Sequence, residues 1–362
     1  MSLSTPPHTL VIAEAGVNHN GDPALALELV DRAAEAGADM VKFQTFDATA
    51  MTAPQAKKAD YQTRTTDSGE SQLDMLRRLQ LSPDDHRALI DRCAARGIVF
   101  LSSVFDTGSL RLLTGTFGLT RLKLGSGELT NAPLLWEIAR GGTDVILSTG
   151  MATLAEIEAA LGVLALGYTD PDAAPGRAAF AAALKRPAAW EVLRARVTLL
   201  HCTTEYPAAA ADTNLRALDT LRAAFGLVTG YSDHTEGRAV TIAAVARGAA
   251  VIEKHFTLDR GLPGPDHAAS LEPGELAALV RDIRRTESAL GSGIKQPCAS
   301  EDRNRPVARK SLFAARDLPA GHVLTEDDIA VMRPGTGGDP MRFWDLVGTA
   351  LAGAMTKGEP FA

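Results

Sequence analysis

The chain has 362 residues, a formal net charge of −7 and 45% hydrophobic residues. This length allows one large domain and a smaller one, and the acidic balance argues against nucleic-acid or acidic-membrane partners, which bind basic surfaces. No apolar run approaches the ~20 residues of a membrane span. The composition therefore argues against a nucleic-acid-binding protein, a protein that binds acidic membranes and a protein that spans a membrane.

The cysteines and the first residues bear on the compartment. Cys93, Cys202 and Cys298 are scattered and odd in number, which suits a reducing environment rather than a disulfide framework. The opening stretch MSLSTPPHTL lacks the basic and then apolar layout of a signal peptide. We therefore expect a cytoplasmic protein.

Eight apolar runs typical of strands alternate with amphipathic helical runs. They are 9–18, 39–46, 98–105, 121–128, 144–151, 197–207, 227–234 and 250–256. Eight strands that each precede a helix predict an α/β fold in which a closed (β/α)₈ TIM barrel is formed. A doubly wound open sheet is the alternative, but no GxGxxG motif follows the first strand.

Helix boundaries can be predicted from capping residues. Ser82 and Pro83 open one helix that Gly97 closes, and Thr153 with Glu156 predicts a capping box. The last barrel helix is predicted at about 273–290, and a proline- and glycine-containing segment follows it. We predict a barrel domain at 1–290, a linker at 291–305 and a small domain at 306–362.

Two connections are longer than the rest. Residues 47–81, with the polar Asp60, Tyr61, Gln62 and Arg64, are expected to form an active-site lid or a binding loop. Residues 168–196 are rich in alanine and proline and predict an inserted surface excursion with some helix.

The last two predicted strands end in polar residues. Ser232 and His234 share one face of the seventh strand, and Glu253 and His255 share one face of the eighth. Parallel strands joined by a helix bring these ends to one edge. Two converging imidazoles beside a carboxylate predict a metal half-shell with open positions, and two satisfied core histidines are the alternative.

Two lysines on different strands predict an anion pocket. Lys42 and Lys123 lie at strand ends, and Gly125-Ser126-Gly127 supplies a hydroxyl and bare N–H groups. The alternative is that the two lysines pair with Glu14 and Glu128 as ion pairs inside the barrel, although buried ion pairs add little stability.

Several strings, in order, resemble the sialic acid synthase family, whose members condense phosphoenolpyruvate with an N-acetylmannosamine-type sugar to give a nonulosonic acid. The strings are IAEAGVNHNGD, GADMVKFQTF, KLGSGELTNAPLL, ILSTGMATLAEIE, LLHCTTEYPA, GYSDHTEG and VIEKHFTLDRGLPGPDHAASLEP. The tail VARKSLFAARDLPAGHVLTEDDIAVMRPGTG is similar to the antifreeze-like SAF domain of these enzymes.

The resemblance implies roles for individual residues. For the catalytic centre it implies Glu14, Lys42, Lys123, Glu128 and Glu253. For phosphoenolpyruvate it implies Lys42, Ser103, Lys123, Ser126, Ser148, Thr204 and Ser232, and for the sugar Gln44, Tyr206, Asp266 and Arg333. His234 and His255 would bind Mn²⁺ or Mg²⁺.

The resemblance also bears on the acceptor sugar and the assembly. The triplet Thr203-Thr204-Glu205 is similar to the branch that makes N,N'-diacetyllegionaminate from 2,4-diacetamido-2,4,6-trideoxymannose. It implies a homodimer with swapped terminal domains, in which Arg333 completes the partner's site. Two other classes remain as alternatives: a metal-dependent TIM-barrel hydrolase, and a catalytically silent sugar-binding protein.

Overall fold

The computed structural model describes residues 8–53, 55–59, 63, 66 and 69–362. It contains two compact units, Met1–Ser292 and Gly293–Ala362. The polar residues predicted for the lid, Asp60, Tyr61, Gln62 and Arg64, lie outside the described residues. Within the described residues, no helix is long and apolar enough to cross a bilayer.

The first unit is a closed barrel of eight parallel strands, which confirms the predicted fold class. Each strand pairs with its neighbour in sequence and β8 pairs with β1. The strands are β1 (Leu10–Gly16), β2 (Met40–Thr45), β3 (Val99–Val104), β4 (Arg121–Leu124), β5 (Asp144–Ser148), β6 (Val197–Cys202), β7 (Val228–Asp233) and β8 (Val251–His255). All eight predicted strands are present and each is shorter than its predicted run.

Helices follow the strands. Among the described residues, the α-helices of the first unit are α1 (Pro23–Glu35), α2 (Ala48–Met51), α3 (Gln72–Leu79), α4 (Pro83–Arg96), α5 (Thr107–Arg111), α6 (Ala132–Arg140), α7 (Leu154–Thr169), α8 (Arg177–Ala183), α9 (Pro187–Arg196), α10 (Ala217–Phe225), α11 (Ala239–Ala246) and α12 (Pro273–Leu290). The capping boxes at Ser82 and Thr153 form, and Gly97 ends α4 in the left-handed conformation at φ 69°.

The inside of the barrel is built in layers that follow the two-residue period of a strand. One apolar layer is fully enclosed and consists of Ile12, Met40, Leu101, Ile146, Leu200 and Val251. Two positions further along the same strands, the side chains become polar. The apolar layer therefore forms a solid floor beneath a polar site at the carboxyl ends of the strands.

The two long connections differ in structure. Residues 168–196 contribute α8 and α9, which pack on α7 with Phe180 and Trp190 half-buried against the core, in line with the predicted helical excursion. The described part of 47–81 contributes α2 and α3, and α3 buries Met75, Leu76 and Leu79.

The second unit begins with α13 (Ala299–Ala308), which overlaps the segment predicted as a linker. Its two-stranded antiparallel sheet pairs β9 (Ser311–Ala314) with β10 (Ile329–Met332), and α14 (Phe343–Leu346) follows. Its small core is Leu312, Ala314, Leu318, Leu324, Ile329 and Phe361.

Candidate active site

A cavity of about 230 Å³ opens at the carboxyl ends of the barrel strands. Each strand contributes one side chain to its lowest layer, and these are Glu14, Lys42, Ser103, Lys123, Ser148, Cys202, Ser232 and Glu253. Six of the eight lie two residues beyond the floor residues of the same strands. The alternation of a strand thus explains why one ring of buried polar groups surrounds the bottom of the cavity.

The charges of this ring are interlinked. Lys42 Nζ lies 2.8 Å from Glu14 Oε2 and 3.0 Å from Glu253 Oε2, and it donates a 3.1 Å hydrogen bond to Ser103 Oγ. The alternative interpretation of the sequence predicted this ion pair between Lys42 and Glu14. Glu253 is the central anion, because both lysines of the ring approach it.

The alternative interpretation of the sequence expected Lys123 to pair with Glu14 or Glu128, but in the structure Lys123 contacts other residues. Its Nζ donates to Ser148 Oγ at 2.7 Å and lies 3.5 Å from Glu253 Oε1. Ser232 Oγ donates to the same Glu253 oxygen at 2.7 Å. The carboxylate of Glu128 instead accepts a 2.7 Å hydrogen bond from Asn131 Nδ2.

Burial and the lysines set the protonation states of the two acids. Burial raises the pKa of Glu14 to about 7, and Lys42 only partly offsets this. Burial would also raise the pKa of Glu253, but Lys123 and Lys42 together hold that pKa well below its ordinary value. Glu253 is therefore a permanent anion near neutral pH, whereas Glu14 can gain or lose a proton.

A second layer of side chains lies above the ring and carries the two histidines. The rings of His234 and His255 are 5.5 Å apart, and the ring of Tyr206 lies 4.1 Å from that of His234. Burial lowers the pKa of His234 to about 4 and the pKa of His255 well below its usual value. Both imidazoles are therefore neutral, the form in which histidine binds metals.

The hydrogen bonds of these two histidines determine which of their ring nitrogens could bind a metal. His234 Nδ1 donates to the Thr203 carbonyl at 2.6 Å, which fixes the ring and leaves Nε2 without a proton, 3.3 Å from Ser232 Oγ. His255 Nδ1 is buried and has no hydrogen-bond partner among the described residues. In that same part of the chain, no group of three or more His, Cys, Asp or Glu residues has metal-binding geometry. Two neutral imidazoles with ring centroids 5.5 Å apart are nevertheless chemically suited to hold a divalent cation between them.

A tight polar corner closes one side of the cavity at Gly150. Its N–H donates to Ser126 Oγ at 3.0 Å, and Ser126 Oγ lies 3.1 Å from Cys202 Sγ. A Cβ at Gly150 would lie 2.8 Å from Ser126 Oγ and 2.9 Å from Cys202 Sγ, and it would also clash with Thr204. Only glycine therefore allows the serine and the threonine to face the cavity together.

Part of the cavity wall is apolar. It is formed by Val17, Met51, Met75, Leu76, Leu79 and Phe105. Met51 belongs to α2, and Met75, Leu76 and Leu79 belong to α3, so the long connection after β2 supplies four of these six residues. None of these six residues was predicted from the sequence, and neither were Cys202 and Gly150. The four that belong to helices of the long connection follow no strand, whereas Val17 and Phe105 are apolar residues directly after β1 and β3. The expected parity of β6 could have indicated Cys202, since it lies two residues before Thr204.

Fourteen of the predicted site residues line this cavity together. They are Glu14, Lys42, Gln44, Ser103, Lys123, Ser126, Ser148, Thr204, Tyr206, Ser232, His234, Glu253, His255 and Asp266. Burial raises the pKa of Asp266 to about 6, and its Oδ2 lies 4.0 Å from His255 Nδ1. Glu128 is not among the lining residues in the described part of the chain. Arg333 belongs to the second unit, where it is exposed and donates to the Ala308 carbonyl.

A closed barrel that holds two lysines, clustered hydroxyls and two neutral imidazoles in one cavity defines a class of protein. It is a barrel enzyme equipped for an anionic substrate and a second, polar one, because the cations and donors lie at the strand ends where barrel enzymes work.

Comparison with known proteins narrows this class. The model of the NeuB family matches residues 29–295, and that of the SAF domain matches 309–362. The N,N'-diacetyllegionaminic acid synthases of Campylobacter jejuni and Legionella pneumophila are 47% and 42% identical, over 94% and 96% of this chain and 95% and 92% of their own lengths. The chain belongs to the NeuB family and is a nonulosonic acid synthase, an enzyme that forms a carbon–carbon bond.

A solved structure is similar as well. The N-acetylneuraminic acid (sialic acid) synthetase of Leptospira borgpetersenii has a TM-score of 0.65 and 34% sequence identity. The similarity covers 82% of this chain and 90% of that protein. Membership of this family removes the hydrolase and the silent sugar-binding protein as alternatives.

Proposed function

We propose that this enzyme condenses phosphoenolpyruvate with 2,4-diacetamido-2,4,6-trideoxymannose and water to give N,N'-diacetyllegionaminate and phosphate. The two legionaminic acid synthases share more identity with this chain than the sialic acid synthetase does. The apolar wall of Met51, Met75 and Phe105 carries the choice of acceptor, because it suits a methyl group at carbon 6. N-acetylmannosamine has a hydroxyl there, which would lose hydrogen bonds against such a wall.

The lysines and the polar corner account for the binding of phosphoenolpyruvate in this proposal. Lys42 and Lys123 supply charge to its phosphate and carboxylate, while Ser103, Ser126 and Ser148 supply hydroxyl donors. Glu253 limits the net positive charge of the ring and holds both ammonium groups in place.

The reaction joins carbon 3 of phosphoenolpyruvate to the aldehyde carbon of the open-chain sugar. When bound at His234 and His255, a divalent cation, Mn²⁺ or Mg²⁺, supplies Lewis-acid polarisation of the sugar carbonyl. Thr203 and Tyr206 hold the His234 ring. Asp266, which lies beside His255, is suited to bind a sugar hydroxyl.

Glu14 is proposed to manage the proton of the attacking water. Water adds at carbon 2, the carbon–oxygen bond to the phosphate then breaks, and inorganic phosphate leaves. Because burial raises the pKa of Glu14 to about 7, its carboxylate can accept the proton that this water loses.

An acceptor comparison tests the proposed substrate. Phosphate release is measured with phosphoenolpyruvate and either sugar, and product mass is checked. We expect a higher kcat/KM with the diacetamido sugar than with N-acetylmannosamine. The Met75→Gln variant is expected to reduce this difference in kcat/KM between the two sugars. A preference for N-acetylmannosamine would overturn the acceptor assignment, and no phosphate release with either sugar would overturn the proposed reaction.

We further propose a cytoplasmic homodimer in which Arg333 serves the partner's sugar site, because its planar guanidinium suits an N-acyl carbonyl and is exposed. Mixing the inactive Arg333→Ala and His234→Ala proteins tests this after subunit exchange. Recovered activity would support the proposal that Arg333 contributes to the sugar site of the partner subunit. Confirmed exchange without recovery would reject it.

A further inference from the structure

The outer face of β7 and β8 carries a buried ion pair directly behind the two site histidines. Asp233 and Lys254 are register partners, and both side chains are 0% exposed. Lys254 Nζ lies 3.1 Å from Asp233 Oδ2. Because side chains alternate along a strand, this pair points away from the cavity while His234 and His255 point into it.

The pair also holds the residue that follows His234. Asp233 Oδ1 accepts hydrogen bonds from Thr235 N at 2.8 Å and from Thr235 Oγ1 at 2.7 Å. Lys254 Nζ donates to the Thr235 carbonyl, and Thr241 Oγ1 of α11 donates to Asp233 Oδ2. Thr235 is therefore fixed through its N–H, its hydroxyl and its carbonyl.

Further hydrogen bonds hold β7 and β8 on their cavity side, close to His234. Ser232 Oγ donates to Glu253 Oε1, so β7 and β8 are joined by side chains on both faces. The His234 carbonyl accepts from Ala208 N at 2.9 Å. The histidine backbone thus lies between two sets of polar contacts, one in the cavity and one behind the sheet.

Stability alone does not explain such a pair. Removing two charges from water is costly, and apolar side chains of similar size often stabilise a protein equally well or better. The hydrogen bonds of a charged pair are directional, however, so such a pair can hold the strands that carry it in one geometry.

We propose that Asp233 and Lys254, with Thr235 and Thr241, form a positioning device that holds His234 and His255 in the arrangement needed to bind a divalent cation. This inference rests on the metal role proposed above. Outer groups that orient metal ligands typically change metal affinity by about tenfold to a hundredfold.

The test is Mn²⁺ binding to the chelator-stripped enzyme, measured by the electron paramagnetic resonance signal of free Mn²⁺. The variant D233N/K254M removes both charges and keeps similar side-chain sizes. We expect its Mn²⁺ dissociation constant to rise by about tenfold to a hundredfold, whereas the KM for phosphoenolpyruvate changes little. Arg284→Met is the matched control, because it breaks the 2.9 Å pair with Asp39 that immediately precedes β2. It should lower the melting temperature and leave Mn²⁺ affinity unchanged.

A second pair of variants decides the question if the double variant does not fold. Thr241→Val removes only the hydroxyl that contacts Asp233, and Thr241→Ser keeps it. Weaker Mn²⁺ binding in the valine variant alone supports the proposal. Equal affinity in both, or wild-type affinity in folded D233N/K254M, would overturn it.

His234→Ala and His255→Ala separate this inference from the metal role itself. Loss of Mn²⁺ binding in both supports the metal role on which the inference depends. Wild-type affinity in either variant would overturn that role and the positioning device with it. Failure of the positioning device alone is recognised when the alanine variants lose Mn²⁺ and the double variant does not.

Discussion

Two buried carboxylates, Glu253 in the barrel and Asp328 in the terminal unit, are surrounded by cations and hydroxyls in different ways. Glu253 takes its partners from three other strands, and both of its lysines also contact hydroxyls that face a cavity. Asp328 takes its partners from Arg316, His322 and Thr325, all within twelve residues of it along the chain. The pKa of each acid is held below its ordinary value.

The two clusters differ in the surroundings of their cations. The partners of Asp328 close a turn upon themselves, so that charge stabilises a local fold. The lysines around Glu253 border a space of about 230 Å³, and in the proposed function they bind the anionic substrate there. A buried charge cluster therefore indicates a binding site when its members come from distant strands and border a cavity.

The histidines of the two regions give the largest expected contrast. His255→Ala should lower kcat by about a thousandfold, because a Lewis-acid metal contributes several kcal/mol to such a reaction. His322→Ala is the control: its ring nitrogen contacts Asp328 at 2.8 Å, and its loss should leave kcat unchanged. Turnover with excess Mn²⁺ measures both. A His255→Ala enzyme with full activity would contradict the metal role.

Removing one cation from each cluster gives the next contrast. Lys123→Met should raise the KM for phosphoenolpyruvate by about tenfold to a hundredfold, since a contact to a charged group contributes roughly 1.5–3 kcal/mol. The KM for the sugar should change far less. Arg316→Met should leave both KM values unchanged, because its guanidinium contacts Asp328 in the terminal unit. An unaltered KM for phosphoenolpyruvate in Lys123→Met would count against the anion pocket.

A smaller effect is expected at the polar corner. Gly150→Ala introduces a methyl group against Ser126, Cys202 and Thr204, and overpacking of this kind should raise the KM for phosphoenolpyruvate by about tenfold. Gly176→Ala serves as the control, because a Cβ there meets no atom within 4 Å. Equal KM values in the two variants would show that the corner does not contact the substrate.

The smallest effect on turnover is expected at Asp328. Its hydrogen bonds, that from His322 first, depress its folded-state pKa, so they stabilise the fold above the unfolded pKa of about 4. This stability is lost as the pH falls below about 4 toward the folded value. Asp328→Asn should lower the melting temperature of the terminal unit at pH 7 and reduce its dependence on pH in that acid range. A melting curve with unchanged acid sensitivity would contradict this.

The residues that could be predicted from sequence are those that a strand presents at its carboxyl end. Lys42, Lys123, His234 and His255 were recognisable because strand alternation and the parallel topology place them on one face at one edge. The capping boxes were predictable for a similar reason, since their partners are three residues apart.

The residues that could not be predicted depend on contacts between distant segments. The part of the apolar wall that comes from α3 belongs to a connection that has no strand period to orient it. The partner of Lys123 was misassigned in the alternative interpretation, because only barrel closure brings Glu253 to it. The pair of Asp233 and Lys254 carries charged residues on a face where the alternation predicts apolar ones, so its burial was visible only in the structure.

The stacked layers of the barrel restrict how this sequence can vary. The floor residue Val251, the acid Glu253 and the histidine His255 stand at successive two-residue steps on β8. Inserting or deleting one residue within that strand would turn Lys254 into the lumen and the histidine toward the helices. In this barrel, the site therefore depends on the number of residues between floor and rim in a strand such as β8, which the length of a loop does not alter.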